Sequence, residues 1–594
     1  MPIDFRNTNS LWASIAVETL ARLGLQTAIL CPGSRSTPLT VAFANHSGIE
    51  TLPILDERSA AFFALGCAKR QHSPVAIVCT SGTAGANFYP AIIEAYESGV
   101  PLLVFTADRP PEMRDCASGQ TIDQIKLFGG FVKRFVEMAV PVADLSMLSY
   151  LRQTLVSGWE SAITPHSAPI HFNCPFRNPL APTANSSTHR VKSAFNTEKF
   201  FHSLSVPVTT KEHTDLLTSL PIADWQSKAG IIIAGPANPS DPTAYCKTIF
   251  YLSQLLDWPV LAEGLSALRN YLALNPFLVS SYDLILRDSR RAAKLVPECV
   301  LQLGALPTSK VLRQWLQRHQ PHRWIVGPRR NLDPLHGPTH RLFLDIEAFT
   351  QPNSVESPIS VESPMSVESP EDSNYCQQWM IYERKMRGTL EEHLTAEPDL
   401  VESKVVWLLS KHLPEQTPLF VANSMPVRDL EYFWPPNDRR IQPVFSRGAN
   451  GIDGTLSTAM GIAHRNRPTV LLSGDLAFLH DTNGLLNTAQ LWGHLTIVLI
   501  NNGGGGIFEM LPVANFSSTF EEYFITPQQV EFSSLCRTYG VEHQLVQTVE
   551  AFVEAIRVLP EKGIRVLEVA CDRVTPAEYR KLSVARRKAL LNSA

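Results

Sequence analysis

The sequence predicts an α/β protein made of three doubly wound parallel-sheet domains, and three observations carry that prediction. Short continuous apolar runs recur along the chain, each stopped by a Gly-, Ser- or Pro-rich loop and followed by a stretch with helical apolar spacing. The stretch from Pro468 to Leu511 contains the whole unit. A run from Thr469 to Leu472 stops at Ser473-Gly474-Asp475, a helix reads to about Leu491, and a second run, Leu495 to Ile500, ends in Asn501-Asn502 and four glycines. At 594 residues the chain is too long for one core, so such units must be spread over several domains.

Taken in order, Leu11 to Leu23 is a helix stopped by Gly24, and Thr27 to Cys31 is a strand broken by Pro32-Gly33-Ser34-Arg35-Ser36-Thr37-Pro38. Glu50 to Leu55 reads as a strand and Glu57 to Arg70 as a helix rich in Ala and Phe. Val75 to Cys79 ends at Thr80-Ser81-Gly82-Thr83-Ala84-Gly85, and Leu102 to Phe105 ends at Thr106-Ala107-Asp108-Arg109-Pro110-Pro111. Gly230 to Ala234 and Val300 to Leu303 are buried-type strands closed by Gly235 and Gly304 without a GxGxxG, so a structural middle domain is expected there. Pro418 to Ala422 leads into Asn423-Ser424 and a helix carrying Arg428. Pro443 to Phe445 leads into Ser446-Arg447-Gly448, and Ile564 to Ala570 is the closing strand.

This alternation divides the chain into residues 1–190, 195–350 and 376–594. Within 351–374, Ser-Val-Glu-Ser-Pro begins at Ser354, Ser360 and Ser366; repeated Pro, Ser and Glu bury too little apolar surface to offset ordering, so a solvated linker-like insertion is expected.

A formal charge of -4 with scattered Lys and Arg argues against a nucleic-acid partner. The short cluster Arg287, Arg290, Arg291 and Lys294 reads as one solvated helix face. The first ten residues lack the apolar core of a secretory signal, and no apolar run is long enough to span a bilayer. Ten cysteines stand singly with no zinc or redox spacing, which fits reduced thiols in the cytoplasm.

In a parallel sheet, Asp475 and Asn502 emerge side by side at the carboxyl ends of their strands, where open α/β sheets bind ligands. A carboxylate, a side-chain amide oxygen and a backbone carbonyl from Gly503 to Gly506 are hard donors suited to Mg²⁺, with sites left for a diphosphate and water. Glycine lets the backbone approach such a group closely. The 27-residue spacing from Asp475 to Asn502 resembles the GD(G)…NN motif of thiamine diphosphate enzymes, with Leu476 in place of the commoner third glycine.

Other motifs narrow the resemblance. CPGSRSTPL (31–39), DER (56–58), TSGTA (80–84), TADRPPE (106–112), Cys116 to Gln124, NCPF (173–176), SRGANGIDG (446–454) and GDL…NNGGGGIF are similar to the 2-succinyl-5-enolpyruvyl-6-hydroxy-3-cyclohexene-1-carboxylate synthase family of menaquinone and phylloquinone biosynthesis. The resemblance covers nearly the whole chain and implies the thiamine diphosphate-binding fold, with a pyrimidine-binding first domain and a diphosphate-binding third. It implies a decarboxylating transferase: 2-oxoglutarate loses CO₂ and its four-carbon remainder adds through carbon to isochorismate in a 1,4 addition. It also implies a homodimer or homotetramer with active sites between subunits, and Mg²⁺ or Mn²⁺ as the cation.

Carried over residue by residue, Glu57 is the acid that hydrogen-bonds the cofactor's aminopyrimidine, and Gln120 is a polar residue near the reacting centre. The cofactor side takes Ser81, Gly82, Ile452, Gly474, Asp475, Leu476, Asn502, Gly504 and Ile507, of which Asp475, Asn502 and Gly504 hold the metal. Ser424, Arg428 and Arg447 fall to the succinyl side; Ser34, Arg35, Arg109 and Lys310 to isochorismate; Ile507, Phe508 and Leu511 to the wall. The arginines fit independently, because both substrates are dicarboxylates and guanidinium pairs with carboxylate bidentately. Ser118-Gly119 stand where many relatives have Ala-Asn, so a contact made by that Asn is missing or comes from elsewhere. The alternatives are another thiamine diphosphate 2-oxoacid decarboxylase of acetolactate-synthase type, which would not need four pocket arginines, and a non-catalytic ligand-binding scaffold, which would be expected to lose Glu57, Asp475 or Asn502.

Overall fold

The strands are continuous apolar runs, and burying both faces of such runs requires helices on each side of a parallel sheet. In a computed structural model, which describes residues 3–202, 204, 219–328, 331–344, 346 and 374–572, three six-stranded sheets form, all of their strand pairs parallel. The Ser-Val-Glu-Ser-Pro repeat lies outside the described residues. The first sheet comprises β1 (Thr27–Leu30), β2 (Glu50–Pro53), β3 (Val75–Cys79), β4 (Leu102–Asp108), β5 (Arg134–Glu137) and β6 (Ile170–Pro175), in the order β2-β1-β3-β4-β6-β5. The second comprises β7 (Gly230–Ala234), β8 (Val260–Ala262), β9 (Leu278–Val279), β10 (Cys299–Leu303), β11 (His322–Val326) and β12 (Thr339–Leu342), in the order β12-β11-β10-β7-β8-β9. The third comprises β13 (Pro418–Val421), β14 (Gln442–Phe445), β15 (Thr469–Gly474), β16 (His494–Asn501), β17 (Glu542–Leu545) and β18 (Gly563–Ala570), in the order β14-β13-β15-β16-β18-β17.

The third sheet repeats the connectivity of the first strand for strand, and in both the order reverses between two central strands: β1 and β3, then β13 and β15. A crevice opens at the carboxyl ends there, which makes these two rims the expected binding edges.

The first and third sheets are joined by two helices that meet backbone to backbone. Glu57–Gln71 and Thr455–Ala463 cross so closely that a Cβ on Gly66 would sit 2.1 Å from the Thr458 carbonyl, and one on Gly461 2.1 Å from the Phe63 carbonyl. Their buried residues share one apolar core with both sheets, including Phe63, Leu65, Met460, Ile462 and Leu471. Around this crossing, Glu94 accepts from the backbone N–H groups of Gly448 and Ala449, and Arg465 pairs with Glu50 at 2.8 Å. The second domain is pinned to the third by Arg269, whose fully buried guanidinium donates to the carbonyls of Ala262, Ser280, Glu431 and Trp434 and pairs with Glu431 at 3.0 Å.

Three sequence expectations are corrected. The helix expected from Asp475 to Leu491 ends at His480 and continues as a 3₁₀ segment, Thr482–Gln490, because the buried Asp481 carboxylate turns to accept from the Ser457 N–H and hydroxyl. β4 runs on to Asp108 rather than ending at Phe105, since Thr106 to Asp108 pair with Asn173 to Pro175 of β6. Arg287 does not share a solvated face with Arg290, Arg291 and Lys294; it caps the preceding helix, Tyr282–Leu286, pairs with Asp283 at 2.7 Å and donates to the Tyr432 hydroxyl.

Replacing Gly66 with Val should force the two helices apart, a cost of about 1–3 kcal/mol for overpacking. The expected result is a thermal midpoint several degrees lower in the metal-free protein; an unchanged midpoint would contradict the close crossing.

Candidate active site

β13, β14, β15 and β16 end around a cavity of about 310 Å³ in the third domain. Its lining includes Ser424, Arg428, Arg447, Ile452, Gly474, Asp475, Leu476, Asn502, Gly504, Ile507 and Phe508, so eleven of the residues expected from sequence are brought together here. Leu511 is not: it sits at the end of the Gly506–Met510 turn, 46% exposed, outside the lining.

The floor of the cavity is acidic and short of donors. Asp475 accepts from the backbone N–H of Leu476 and of Gly504, each at 2.7 Å. Burial still pushes its carboxyl up to about 6, against the pull of those backbone donors. Asn502 donates its amide to Glu402 at 2.7 Å, while its Oδ1 is buried without a hydrogen-bond partner. The glycine loop leaves no room for side chains, since a Cβ on Gly504 would lie 2.3 Å from the Ile525 carbonyl and one on Gly506 2.8 Å from Asn502 Nδ2. A carboxylate, an unspent amide oxygen and a close-approaching backbone are the donor set of a hard divalent cation and fit one.

The wall is cationic. Arg428 donates to the Ser424 carbonyl at 2.6 Å; Arg447 donates to Asn423 Oδ1 at 2.8 Å and to the Thr308 hydroxyl at 3.2 Å. Among the described residues neither has an ion-pair partner, and burial lowers the pKa of both, Glu263 opposing the shift at Arg447. Two half-buried guanidinium groups without counter-ions make a site for an anion. Ser424 holds φ 70 at the start of the Met425–Phe433 helix, a backbone conformation that L side chains rarely adopt and that concentrates at binding sites.

The remaining expected residues lie elsewhere. Ser34, Arg35, Ser81, Gly82, Arg109 and Gln120 gather at the rim of the first sheet, not at this cavity. There Arg35 donates to the Phe176 carbonyl and Arg109 to the Gly119 carbonyl, and both keep a buried Nε without a partner. Gln120, at φ 56, exchanges hydrogen bonds with Ser81, its side chain donating to the Ser81 carbonyl and its own carbonyl accepting from the Ser81 hydroxyl. Gln124 holds this loop by accepting from the Gly82 N–H at 2.9 Å. Glu57, half-buried at the start of its helix, lies close to the Cys31 and Cys79 thiols at the ends of β1 and β3, and its charge adds to the burial that raises both. It does not line the third-domain cavity of its own chain. Its neighbours instead tether the two domains: Asp56 accepts from Asn483, and Arg58 donates to the His480 carbonyl. Lys310 is exposed at the start of the Lys310–His319 helix, two residues beyond the Thr308 that meets Arg447.

Sequence reading missed Glu402, Asn423, Thr308 and Glu263. Asn423 stood beside Ser424 at a strand end and could have been found there; its amide donates to the carbonyls of Ser446 and Gly451, fixing the loop that carries Arg447.

Comparison with known proteins agrees with this layout. Residues 12–127 match the thiamine pyrophosphate enzyme N-terminal TPP binding domain, 197–421 the middle domain of thiamine pyrophosphate enzymes, and 429–569 the C-terminal TPP binding domain. Full-length relatives are much closer: 2-succinyl-5-enolpyruvyl-6-hydroxy-3-cyclohexene-1-carboxylate synthases from Trichormus variabilis and a Nostoc species are each 54% identical over 98% of both chains, and that of Gloeothece citriformis 53% over 99% of both. The chain belongs to this synthase family. A solved benzoylformate decarboxylase from Polynucleobacter necessarius aligns over 95% of the chain and 98% of its own with a TM-score of 0.65 and 18% identity, a likeness of fold alone. The two family-matched TPP binding domains are therefore the two of identical strand order. Among the described residues no helix is long and apolar enough to cross a membrane.

If Asp475 holds a cation, binding requires its ionised form, and since burial pushes that carboxyl up to about 6, Mg²⁺-dependent cofactor affinity should be flat above pH 7. Below pH 6 it should fall by about tenfold per unit, one proton competing for the site. The raised pKa also means that the ionised carboxylate opposes folding at neutral pH. Asp475→Asn should therefore raise the thermal midpoint of the metal-free protein at pH 7.5 and change it much less at pH 4, where the folded state carries the proton and the unfolded state carries about half of one. Calorimetry with Mg²⁺ and thermal scans at the two pH values check both.

Proposed function

We propose that the protein is a thiamine diphosphate-dependent transferase that decarboxylates 2-oxoglutarate and adds the succinyl remainder to isochorismate, a step of quinone biosynthesis in the cytoplasm. The single observation that carries the substrate assignment is the pair Arg428 and Arg447, half-buried on the cavity wall without counter-ions, together with the family membership. Asp475, Asn502 and the Gly504 backbone hold Mg²⁺ or Mn²⁺ and through it the diphosphate. Bound thiamine diphosphate supplies the carbon nucleophile and the electron sink for decarboxylation.

The chain's own residues do the rest. Arg428 and Arg447 pair with the carboxylates of the 2-oxoacid, and Ser424 faces the same wall. Ile452, Ile507 and Phe508 line the cavity and keep water from the reacting carbon. At the first-domain rim, Arg35 and Arg109 have unspent Nε donors for the second, anionic substrate, joined by Ser34 and Gln120 and, from the second domain, by Lys310, while Ser81 and Gly82 of the same rim would bind the cofactor. Glu57 shares a proton with the aminopyrimidine. Since Glu57 does not line the cavity of its own chain, the first-domain rim that completes each site comes from a second copy, and the working unit is a homo-oligomer. Residues 1–190, 195–350 and 376–594 form the three units, with 351–374 as an insertion between the second and third.

Offered 2-oxoglutarate, isochorismate, thiamine diphosphate and Mg²⁺, the protein should release CO₂ and form the carbon–carbon bond. Turnover of pyruvate in preference to 2-oxoglutarate would instead favour a decarboxylase of acetolactate-synthase type. Glu57→Gln should reduce turnover by about 10²–10⁴-fold while cofactor still binds. Co-expressed with Asp475→Ala chains, which are inactive alone, it should recover about a quarter of wild-type activity if dimers assort at random and sites are shared. No recovery would place each site within one chain.

Thr308→Val removes the hydroxyl that receives Arg447, and KM for 2-oxoglutarate should rise about five- to tenfold, the loss of about 1 kcal/mol, with kcat nearly unchanged. An unchanged KM would detach the second domain from substrate binding.

A further inference from the structure

Asn502 can serve a cation only through its amide oxygen, and the two ends of an amide are nearly isosteric. Nothing in Asn502 itself selects the oxygen. The selection comes from its neighbour: Glu402, the first residue of the Glu402–His412 helix and 2% exposed, accepts from Asn502 Nδ2 at 2.7 Å. An ionised carboxylate accepts hydrogen bonds and donates none, so the nitrogen must face Glu402. The oxygen is thereby turned away, and it is buried with no hydrogen-bond partner among the described residues. Glu402, Asn502 and Asp475 all line the same cavity.

We infer that Glu402 is the positioning residue of the cation site, fixing which end of Asn502 is presented to the metal. This rests on the cation site proposed above. A buried carbonyl oxygen left without a donor is unfavourable, and Glu402 holds it in that state in advance of the ligand, as partners of metal-ligating side chains do elsewhere. Without the carboxylate the amide can rotate and turn its N–H groups toward the cation. The competing account of an acid at this position is that it complements the dipole at the start of its helix, an effect on stability alone.

The experiment is calorimetric titration of Mg²⁺ into the full-length protein with thiamine diphosphate present, a readout independent of turnover. Glu402→Gln should weaken Mg²⁺ by about 10–100-fold, the range for partners of metal ligands. Glu402→Asp, which keeps the charge but withdraws the carboxylate by a methylene, should show a loss of similar size. The double variant Glu402→Gln with Asn502→Asp reverses the hydrogen bond, an amide now donating to a carboxylate, and should recover most of the affinity at unchanged net charge. Wild-type affinity in Glu402→Gln or in Glu402→Asp would overturn the inference, as would a double variant no tighter than Glu402→Gln. A wild-type protein whose thiamine diphosphate affinity ignores Mg²⁺ would overturn the cation site itself. Thermal midpoints of the metal-free variants identify any that fail to fold, and Glu402→Asp, the smaller change, then carries the test.

Discussion

The crossing of two helices at Gly66 and Gly461 is the constraint on which the arrangement of the molecule depends. With no Cβ on either side, backbone lies against backbone, and the first and third sheets become two faces of one apolar core rather than independent domains. Everything attached to those helices inherits the geometry. Glu57 begins one of them, and the loop bearing Arg447 and Ile452 leads into the other. A rigid crossing of this kind resists gradual deformation, because interiors packed at crystal-like density transmit displacement instead of absorbing it. The rims of the two sheets are thus held in a fixed relation, and within one chain that relation keeps Glu57 out of the cavity containing Asp475.

Both rims store unfavourable conformations and unsatisfied groups. Gln120, Ser424 and Asn450 hold positive φ without being glycine, Arg35 and Arg109 keep buried Nε donors unpaired, and Asn502 keeps a buried oxygen without a donor. Each lowers the stability of the folded protein, and the unpaired donors and oxygen are groups that an anion or a cation of the right shape would satisfy. At these two switch-point edges such features suit a preorganised site: the cost is met on folding, so that little rearrangement is left for the moment of binding.

The strands were legible because their apolar runs are buried on both faces, so that composition alone marks them; β3 and β7 fall where the runs begin and end. The meeting of Asp475, Asn502 and Gly504 at one cavity was legible because glycines, an acid and an amide at strand ends have few other uses together. What remained hidden was contact across long stretches of chain. Glu402 lies 100 residues from Asn502 and looks in sequence like any acid in a helix's first turn, while Thr308 and Glu263 belong to a domain that carries no cofactor motif. The helix beyond Asp475 was overextended for a related reason. Its apolar spacing continues past His480, but Asp481 is drawn inward by Ser457, and a tertiary hydrogen bond overrides local preference.

The middle domain has a role that its sequence does not announce. Arg447 spends one donor on Asn423 of its own domain and another on Thr308 of the second, and Thr308 in turn donates through both N–H and hydroxyl to Glu263. Glu263 is fully buried, as is nearly all of Glu431, with Arg269 between them; burial raises both carboxyls, and Glu431 is held at about 7. Glu263 adds to the rise that burial imposes on Glu431, and the Arg269 guanidinium opposes the rise at both carboxyls. Glu263 also acts on Arg447 across the domain boundary, opposing the fall in pKa that burial imposes on it. A guanidinium held this way is braced from behind by an acid it does not touch, leaving its remaining donors for the cavity. Replacing the network with apolar side chains could preserve the packing of the domains, but it would remove the acid that opposes the desolvation of Arg447. Glu263 of the middle domain is therefore part of the electrostatics around Arg447 as well as of the packing between domains.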